Sequence, residues 1–134
     1  MSVTVKDNTQ EILSALEKAK KRGLKAIGMA AERHAKKDPN MPVDTGRARN
    51  SITWATKERE GEVVNYKDDN GVAYSEQIGQ GAEKDAVYIG SNVEYFPEIE
   101  LGSRTISARH VLQRAATEHT DEYKKLLQES FENA

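Results

Sequence analysis

The sequence contains no cysteine, and this absence excludes disulfide bonds, thiol catalysis and cysteine-based zinc sites. It fits a reducing compartment such as the cytosol. Long hydrophobic runs are also absent, since no segment approaches the roughly 20 apolar residues of a membrane-spanning helix. The first stretch, MSVTVKDNTQ, lacks the apolar segment of a signal peptide. We therefore expect no membrane partner and no secretory leader.

The patterns of common catalytic and cofactor sites are missing as well. Gly79-Gln80-Gly81 lacks the third glycine and the following helix of a dinucleotide-binding loop, and no serine lies in a nucleophile-elbow pattern. The three histidines, His34, His110 and His119, lie far apart in the chain without metal-ligand spacing. Acids between Glu94 and Glu100 could pair for acid–base work, but a solvated edge explains them more simply. We predict a protein that is not an enzyme and has no cofactor or metal.

The composition favours one domain with a small core and a large polar surface. The chain has 134 residues, 37% of them hydrophobic and 31% charged, so partners are expected to complete part of its surface. Residues 1–50 carry eleven basic and six acidic side chains, whereas residues 51–134 carry nine and sixteen. This polarity could bring unlike faces of identical subunits together or turn a basic face towards a polyanion, or both faces could simply be solvated.

Hydrophobic spacing predicts one long helix over residues 8–36, with Asp7 or Asn8 as its cap. Its apolar stripe runs from Ile12 to His34 in steps of three and four residues, and lysines and arginines occupy the opposite face. A junction over residues 37–50 follows the helix.

From Ser51 the period changes to two, which predicts strands over 51–58, 62–67, 72–76 and 86–90, with Trp54 in the core. Asn70-Gly71 is a strong hairpin signal. Residues 77–85 read as a flexible loop, and residues 68–85 as a mobile arm that becomes ordered on a partner.

A single helical turn is expected over residues 95–101, with Tyr95, Ile99 and Leu101 pointing inward and Gly102 ending it. Ser107 is then placed to cap one continuous helix over residues 108–132. The predicted fold is α+β: a small antiparallel sheet of about four strands, packed with a long N-terminal helix and a C-terminal helix in a single domain over residues 1–134.

The segment 42–52 concentrates special backbone residues between the first helix and the first strand. Asp44 is placed to cap a short helical turn over residues 45–50, and Gly46 to let the backbone approach a neighbouring element closely. Arg47 and Arg49 would then project at a fixed angle and meet acids of the same or a neighbouring subunit.

Three motifs resemble those of one known family. The first is Pro42-Val43-Asp44-Thr45-Gly46-Arg47-x-Arg49-x-Ser51-Ile52. The second is Val87-Tyr88-Ile89-Gly90-Ser91-Asn92-x-x-Tyr95-x-Pro97-x-x-Glu100-x-Gly102. The third is Ala108-Arg109-His110-Val111-Leu112, in which His110 and Val111 stand where the family has proline and phenylalanine. In order and spacing these motifs resemble the small tail-completion, or head–tail joining, proteins of long-tailed double-stranded DNA bacteriophages, also called minor capsid or tail component proteins.

The resemblance implies a non-enzymatic virion protein of the neck or tail end, made in the host cytoplasm during assembly. It implies that subunits form a homo-oligomeric ring which meets the phage connector and the tail tube or tail terminator, with genomic DNA passing non-specifically through its channel. The residues predicted for the assembly interface are Asp44, Gly46, Arg47, Arg49, Tyr95, Glu100 and Gly102. The alternative prediction is a small nucleic-acid-binding protein that uses the basic face of the first helix.

Overall fold

The computed structural model describes residues 8–134, which form five α-helices and four short strands. In chain order these elements are α1 (Thr9–Lys37), α2 (Arg47–Ser51), β1 (Thr53–Ala55), β2 (Val63–Lys67), β3 (Ala73–Gln77), β4 (Tyr88–Gly90), α3 (Phe96–Leu101), α4 (Val111–Thr117) and α5 (Thr120–Glu132). The α+β class predicted from the sequence is confirmed. None of the helices among these residues combines the length and apolar character that a membrane span requires.

The strands form two antiparallel pairs rather than the single sheet predicted from the sequence. β1 pairs with β4, and Trp54 lies opposite Ile89. β2 pairs with β3 as a separate hairpin. A short 3-10 turn after β1 redirects the chain, and the amide of Gly61 then donates to the carbonyl of Ile78 at 2.9 Å, which closes the base of the hairpin. A cavity of about 170 Å³ separates the two pairs.

The β2–β3 hairpin has the turn predicted from Asn-Gly. Gly71 adopts a φ of +83°, which favours glycine. The buried carboxylate of Asp68 accepts hydrogen bonds from the amides of Asn70 and Val72, both at 2.9 Å. Burial alternates along both strands, so that Tyr66 and Tyr74 lie opposite each other on the inner face.

The side of α1 that faces the rest of the chain is lined by small residues. These alanines and glycines let other elements approach the helix closely. Gly28 lies against the ring of Trp54, and Gly23 against Leu127. Asn8 occupies the N-cap position but makes no side-chain capping bond, and Asp7 lies outside the described residues.

The core lies where the C-terminal half of α1 meets α2, α3 and α4. Its buried apolar residues are Ala35, Met41, Ala48, Ile52, Val93, Phe96, Val111 and Ala115. Trp54 is not among them: it is half-buried, and the guanidinium of Arg59 lies 4.1 Å from its ring centre. The placement of Trp54 in the core was therefore wrong: its ring packs against α1 at Gly28 and is not among the buried core residues.

The C-terminal helix predicted over residues 108–132 is two helices, because the chain turns between Thr117 and Thr120. The hydroxyl of Tyr123 donates to the carbonyl of Ala115, the acceptor that a continuous helix would offer to the amide of His119. The apolar spacing of three and four continues across the break, so spacing alone does not reveal it.

The predicted cap of this helix was also wrong. α4 begins three residues later than Ser107 would allow, after His110 in a left-handed conformation with a φ of +52°. Its first amides are capped from another element: the carboxylate of Glu100 accepts from the amides of Leu112 at 2.8 Å and Gln113 at 2.9 Å. Arg114 binds both carboxylate oxygens of Asp38, at 2.8 and 3.0 Å, and so joins α4 to the end of α1.

The short helix α3 ends at Gly102 as predicted, but its inward residues differ. Phe96 and Glu100 are buried. Ile99 packs against the core, as expected, whereas Leu101 is 72% exposed and Tyr95 is 36% exposed.

Candidate interaction site at the junction

The junction between α1 and β1 turns sharply at Gly46. This residue precedes α2 with a φ of +79°, and a Cβ atom added to it would lie 2.5 Å from the carboxylate of Asp69. Only glycine meets both conditions without strain. The close backbone approach predicted for Gly46 is thus confirmed, and the neighbouring element is the hairpin turn.

The capping role predicted for Asp44 was wrong. The amide of Arg47 donates instead to the hydroxyl of Thr45, at 3.3 Å. Asp44 is exposed, and its carboxylate has no hydrogen-bond partner among residues 8–134. The left-handed residue at position 46 shifts the helix start by two positions, which puts Thr45 rather than Asp44 within reach of the first free amide.

The hairpin turn docks on the junction through backbone and side-chain contacts. The amide of Asp69 donates to the carbonyl of Thr45 at 2.6 Å, and the side-chain amide of Asn50 donates to the carbonyl of Lys67 at 2.8 Å. Arg49 forms an ion pair with Asp69 at 2.5 Å. Arg49 therefore meets an acid of its own chain, and the tip of the expected mobile arm is anchored. The mobility of residues 68–85 stays a prediction.

Arg47 lies on the other side of α2, between two tyrosines. Its guanidinium carbon is 4.3 Å from the ring centre of Tyr74 and 5.8 Å from that of Tyr95, within the range of cation–π attraction. Glu76 lies 3.8 Å away. The Nε atom of Arg47 is buried and has no hydrogen-bond partner among the described residues, so the packed cation keeps unused capacity to donate.

Two side chains on the inner face of the hairpin, Tyr66 and Glu76, form a hydrogen-bonded pair next to Arg47. Tyr66 donates from its hydroxyl to Glu76 at 2.7 Å, and burial together with this hydrogen bond raises the pKa of Tyr66 to about 12. The phenol therefore stays neutral at physiological pH and holds the Glu76 carboxylate beside the guanidinium.

An open groove of about 610 Å³ runs beside Arg47. Asp44, Gly46, Arg47 and Tyr95 line it, together with Ile106 and Arg109, among others. Of the seven predicted interface residues, the fold thus brings four to one surface. Arg49 faces the hairpin turn instead, in its pair with Asp69.

Glu100 and Gly102 support this surface from within. Glu100 is 9% exposed and caps α4, as described above. Gly102 has a φ of +83°, and a Cβ atom there would lie 2.9 Å from the amide nitrogen of Ala108. Both residues fix the 102–110 loop, which carries Ile106 and Arg109 into the groove.

Sequence reasoning missed Tyr74, Ile106 and Arg109 as groove residues. The period-two pattern of the hairpin already placed Tyr74 on the face of Tyr66, so one of these three could have been found. Ile106 and Arg109 lie in an irregular loop, where no periodicity indicates direction.

The basic face of α1 is partly neutralised within the chain. Lys20 pairs with Asp85 at 2.5 Å, and Lys21 with Glu58 at 2.8 Å. Arg33 lies 3.4 Å from Glu122, and Lys36 lies 3.3 Å from Glu32. Lys18, Arg22 and Lys25 remain exposed.

The chain matches no protein-family model, no curated protein and no solved structure.

Proposed function

We propose that this chain is a non-enzymatic virion structural protein that completes the tail end or neck of a long-tailed double-stranded DNA phage. It joins the capsid connector to the tail as a homo-oligomeric ring. The three motifs that resemble the tail-completion family support this proposal. All three contribute residues to the groove: Gly46 and Arg47 come from the first motif, Tyr95 from the second and Arg109 from the third.

One observation carries the proposal: two surfaces with exposed large apolar side chains lie at opposite ends of α1. The end patch consists of Ile12, Leu13, Leu16 and Phe131. The groove patch consists of four exposed residues: Val43, Tyr95, Leu101 and Ile106. Tyr95 and Ile106 line the groove, Val43 lies in the chain between the groove residues Pro42 and Asp44, and Leu101 lines a second open pocket together with Ile106. Exposed apolar residues that cluster in this way are typical of protein–protein contacts.

Most of the long helix lies between the two patches. From Leu16 to its last residue, Lys37, α1 rises roughly 32 Å at 1.5 Å per residue. α5 runs back along α1, because Ser130 donates to the carbonyl of Ala19, and Phe131 follows Ser130 on the side of the N-terminal half of α1. The junction and its groove follow the opposite end of α1 directly.

A ring needs two different surfaces on every subunit, since each subunit meets its two neighbours through heterologous contacts. Two separate apolar patches meet that requirement, whereas one patch alone suits a two-fold dimer. In the proposed ring the groove patch of one subunit receives the end patch of the next.

The proposed partners beyond the ring are the phage connector or adaptor, the tail tube or tail terminator, and genomic DNA in the channel. Binding of nucleic acid as the main function is the weaker candidate. Four of the basic residues on α1 already have acidic partners in the same chain, so the charge available for phosphates is smaller than the sequence suggests.

Deletion of the gene from its phage tests the joining function. Electron microscopy of the lysate should then show filled heads and separate tails, and expression of the wild-type chain in trans should restore joined particles. Normal infectious particles from the deletion phage would overturn the proposal.

A further inference from the structure

The fold brings together two histidines that are 85 positions apart in the sequence. His34 on α1 and His119 before α5 stack with ring centres 3.5 Å apart and an angle of 4° between the rings. The Nε2 atom of His34 lies 2.7 Å from a carboxylate oxygen of Glu122. The two histidines are far apart in the chain, as the sequence analysis noted, but the fold brings them together and adds an acidic partner that sequence spacing did not indicate.

Hydrogen bonds do not explain the position of the His119 ring. It is half-buried, and neither of its nitrogens has a hydrogen-bond partner among residues 8–134. Imidazole nitrogens beside a carboxylate are a common ligand set for zinc.

We propose that His34, His119 and Glu122 form a binding site for Zn²⁺ or a similar divalent transition metal. One ligand atom from each of the three side chains lies within 4.8 Å of the other two. Ligand bonds of roughly 2.0–2.1 Å in a tetrahedral site hold such atoms about 3.3 Å apart. Metal binding would require the two rings to rotate about their Cβ–Cγ bonds out of the parallel stack, so that their lone pairs converge, and a water molecule would be the fourth ligand.

The surroundings of the three side chains fit this role. The carboxylate of Glu122 is already held beside Nε2 of His34, at 2.7 Å. Arg33 contacts the other oxygen of Glu122 at 3.4 Å and orients the carboxylate. Metal binding replaces the His34–Glu122 hydrogen bond, and any proton on Nε2 of His34 moves to Nδ1 or to solvent.

A metal at this position joins α1 to the break between α4 and α5. It would stabilise the packing of the C-terminal helices on α1 without touching the groove. The inference is independent of the proposed assembly role, because none of the three ligands belongs to either apolar patch.

The test uses the full chain without an affinity tag, titrated with Zn²⁺ by calorimetry and with Co²⁺ by visible absorption. We expect one Zn²⁺ per chain and the absorption bands of tetrahedral Co²⁺. Glu122→Gln and His119→Asn should each weaken Zn²⁺ binding at least roughly tenfold. Zn²⁺ at about one hundred times its dissociation constant should raise the melting temperature of the wild type by roughly 5–10 °C.

Asp121→Asn is the matched control, because it removes the same charge from the neighbouring position on α5 and should bind Zn²⁺ like the wild type. His110 stays in every variant. Any Zn²⁺ binding that remains after the loss of a proposed ligand therefore includes the binding expected of a single imidazole. Absence of binding at about 100 μM Zn²⁺, or equal affinities for Glu122→Gln and Asp121→Asn, would overturn the proposal.

Discussion

At the scale of single residues, Gly46 controls how the hairpin turn meets the junction. Its positive φ alone makes alanine unfavourable by about 1 kcal/mol, and the added Cβ would collide with the carboxylate of Asp69. We therefore expect Gly46→Ala to lower the free energy of unfolding by about 2–3 kcal/mol, because the Arg49–Asp69 pair must also separate. Urea denaturation measures this loss.

Gly71→Ala provides the control for that prediction. Gly71 has a φ of +83° but no atom near the position of a Cβ. This variant should show the backbone cost alone, about 1 kcal/mol. Equal losses for the two variants would mean that contact with Asp69 contributes nothing to the strain at position 46.

Glu100 acts on stability through a helix to which it does not belong. Glu100→Ala removes the acceptor for the amides of Leu112 and Gln113, so we expect a loss of about 1–3 kcal/mol in the free energy of unfolding. Glu98→Ala on the exposed side of α3 should change stability by less than about 0.5 kcal/mol. A loss at Glu100 no larger than that at Glu98 would contradict the cap.

These two residues show what sequence can and cannot predict at this scale. The special backbone conformation at Gly46 could be predicted, because a glycine between a proline-rich turn and a short helix signals such a conformation. The role of Glu100 as a cap was not, because its partners lie twelve and thirteen positions away and depend on how two helices pack. The cap of α2 comes from Thr45 rather than Asp44 because the left-handed Gly46 separates both residues from the helix.

At the scale of elements, α1 offers a matched pair of helical glycines. Alanine in a helix is favoured over glycine by about 1 kcal/mol. At Gly28 the new Cβ would lie 2.7 Å from the ring of Trp54, whereas at Gly23 it would meet the mobile end of Leu127 at 2.6 Å. We expect Gly28→Ala to destabilise by about 1 kcal/mol, and Gly23→Ala to be neutral or stabilising, in thermal and urea unfolding.

The fluorescence of Trp54 tests whether contact with its ring is the cause of the destabilisation expected for Gly28→Ala. If α1 packs on β1 as described, Gly28→Ala should shift the emission of Trp54 towards longer wavelength, and Gly23→Ala should leave it unchanged. A Gly28→Ala variant as stable as Gly23→Ala would contradict the tight contact between α1 and Trp54.

Local signals predicted the elements better than their arrangement. The long helix and the hairpin were predicted within a few residues, because periodicity and Asn-Gly are local. The division into two strand pairs depends on which strands meet across the chain, and β1 finds its partner 35 positions away. The break between α4 and α5 arises from the Tyr123 hydroxyl and the stacking of His119, neither of which changes the apolar spacing.

At the scale of the whole molecule, the proposed assembly depends on the two apolar patches. Composition predicted that partners complete part of the surface, and this stays a prediction; large apolar residues are exposed at both ends of α1. The sequence did not reveal the patches, because Ile12 and Leu16 belong to an apolar stripe that was expected to be buried. α5 covers that stripe only from Ala19 onward.

Complementation of a deletion phage by patch variants tests the central claim most directly. The end patch is changed by Ile12→Ser with Leu16→Ser, and the groove patch by Leu101→Ser with Ile106→Ser. Val63→Ser with Val72→Ser, on exposed hairpin positions outside both patches, is the control. Circular dichroism should show that all three proteins are folded.

The measured quantity is the number of infectious particles that each variant restores. The account predicts that both patch variants leave heads and tails separate, while the control restores wild-type numbers of joined particles. If the folded patch variants restore infectivity as well as the control does, the two patches are not assembly surfaces and the account is wrong.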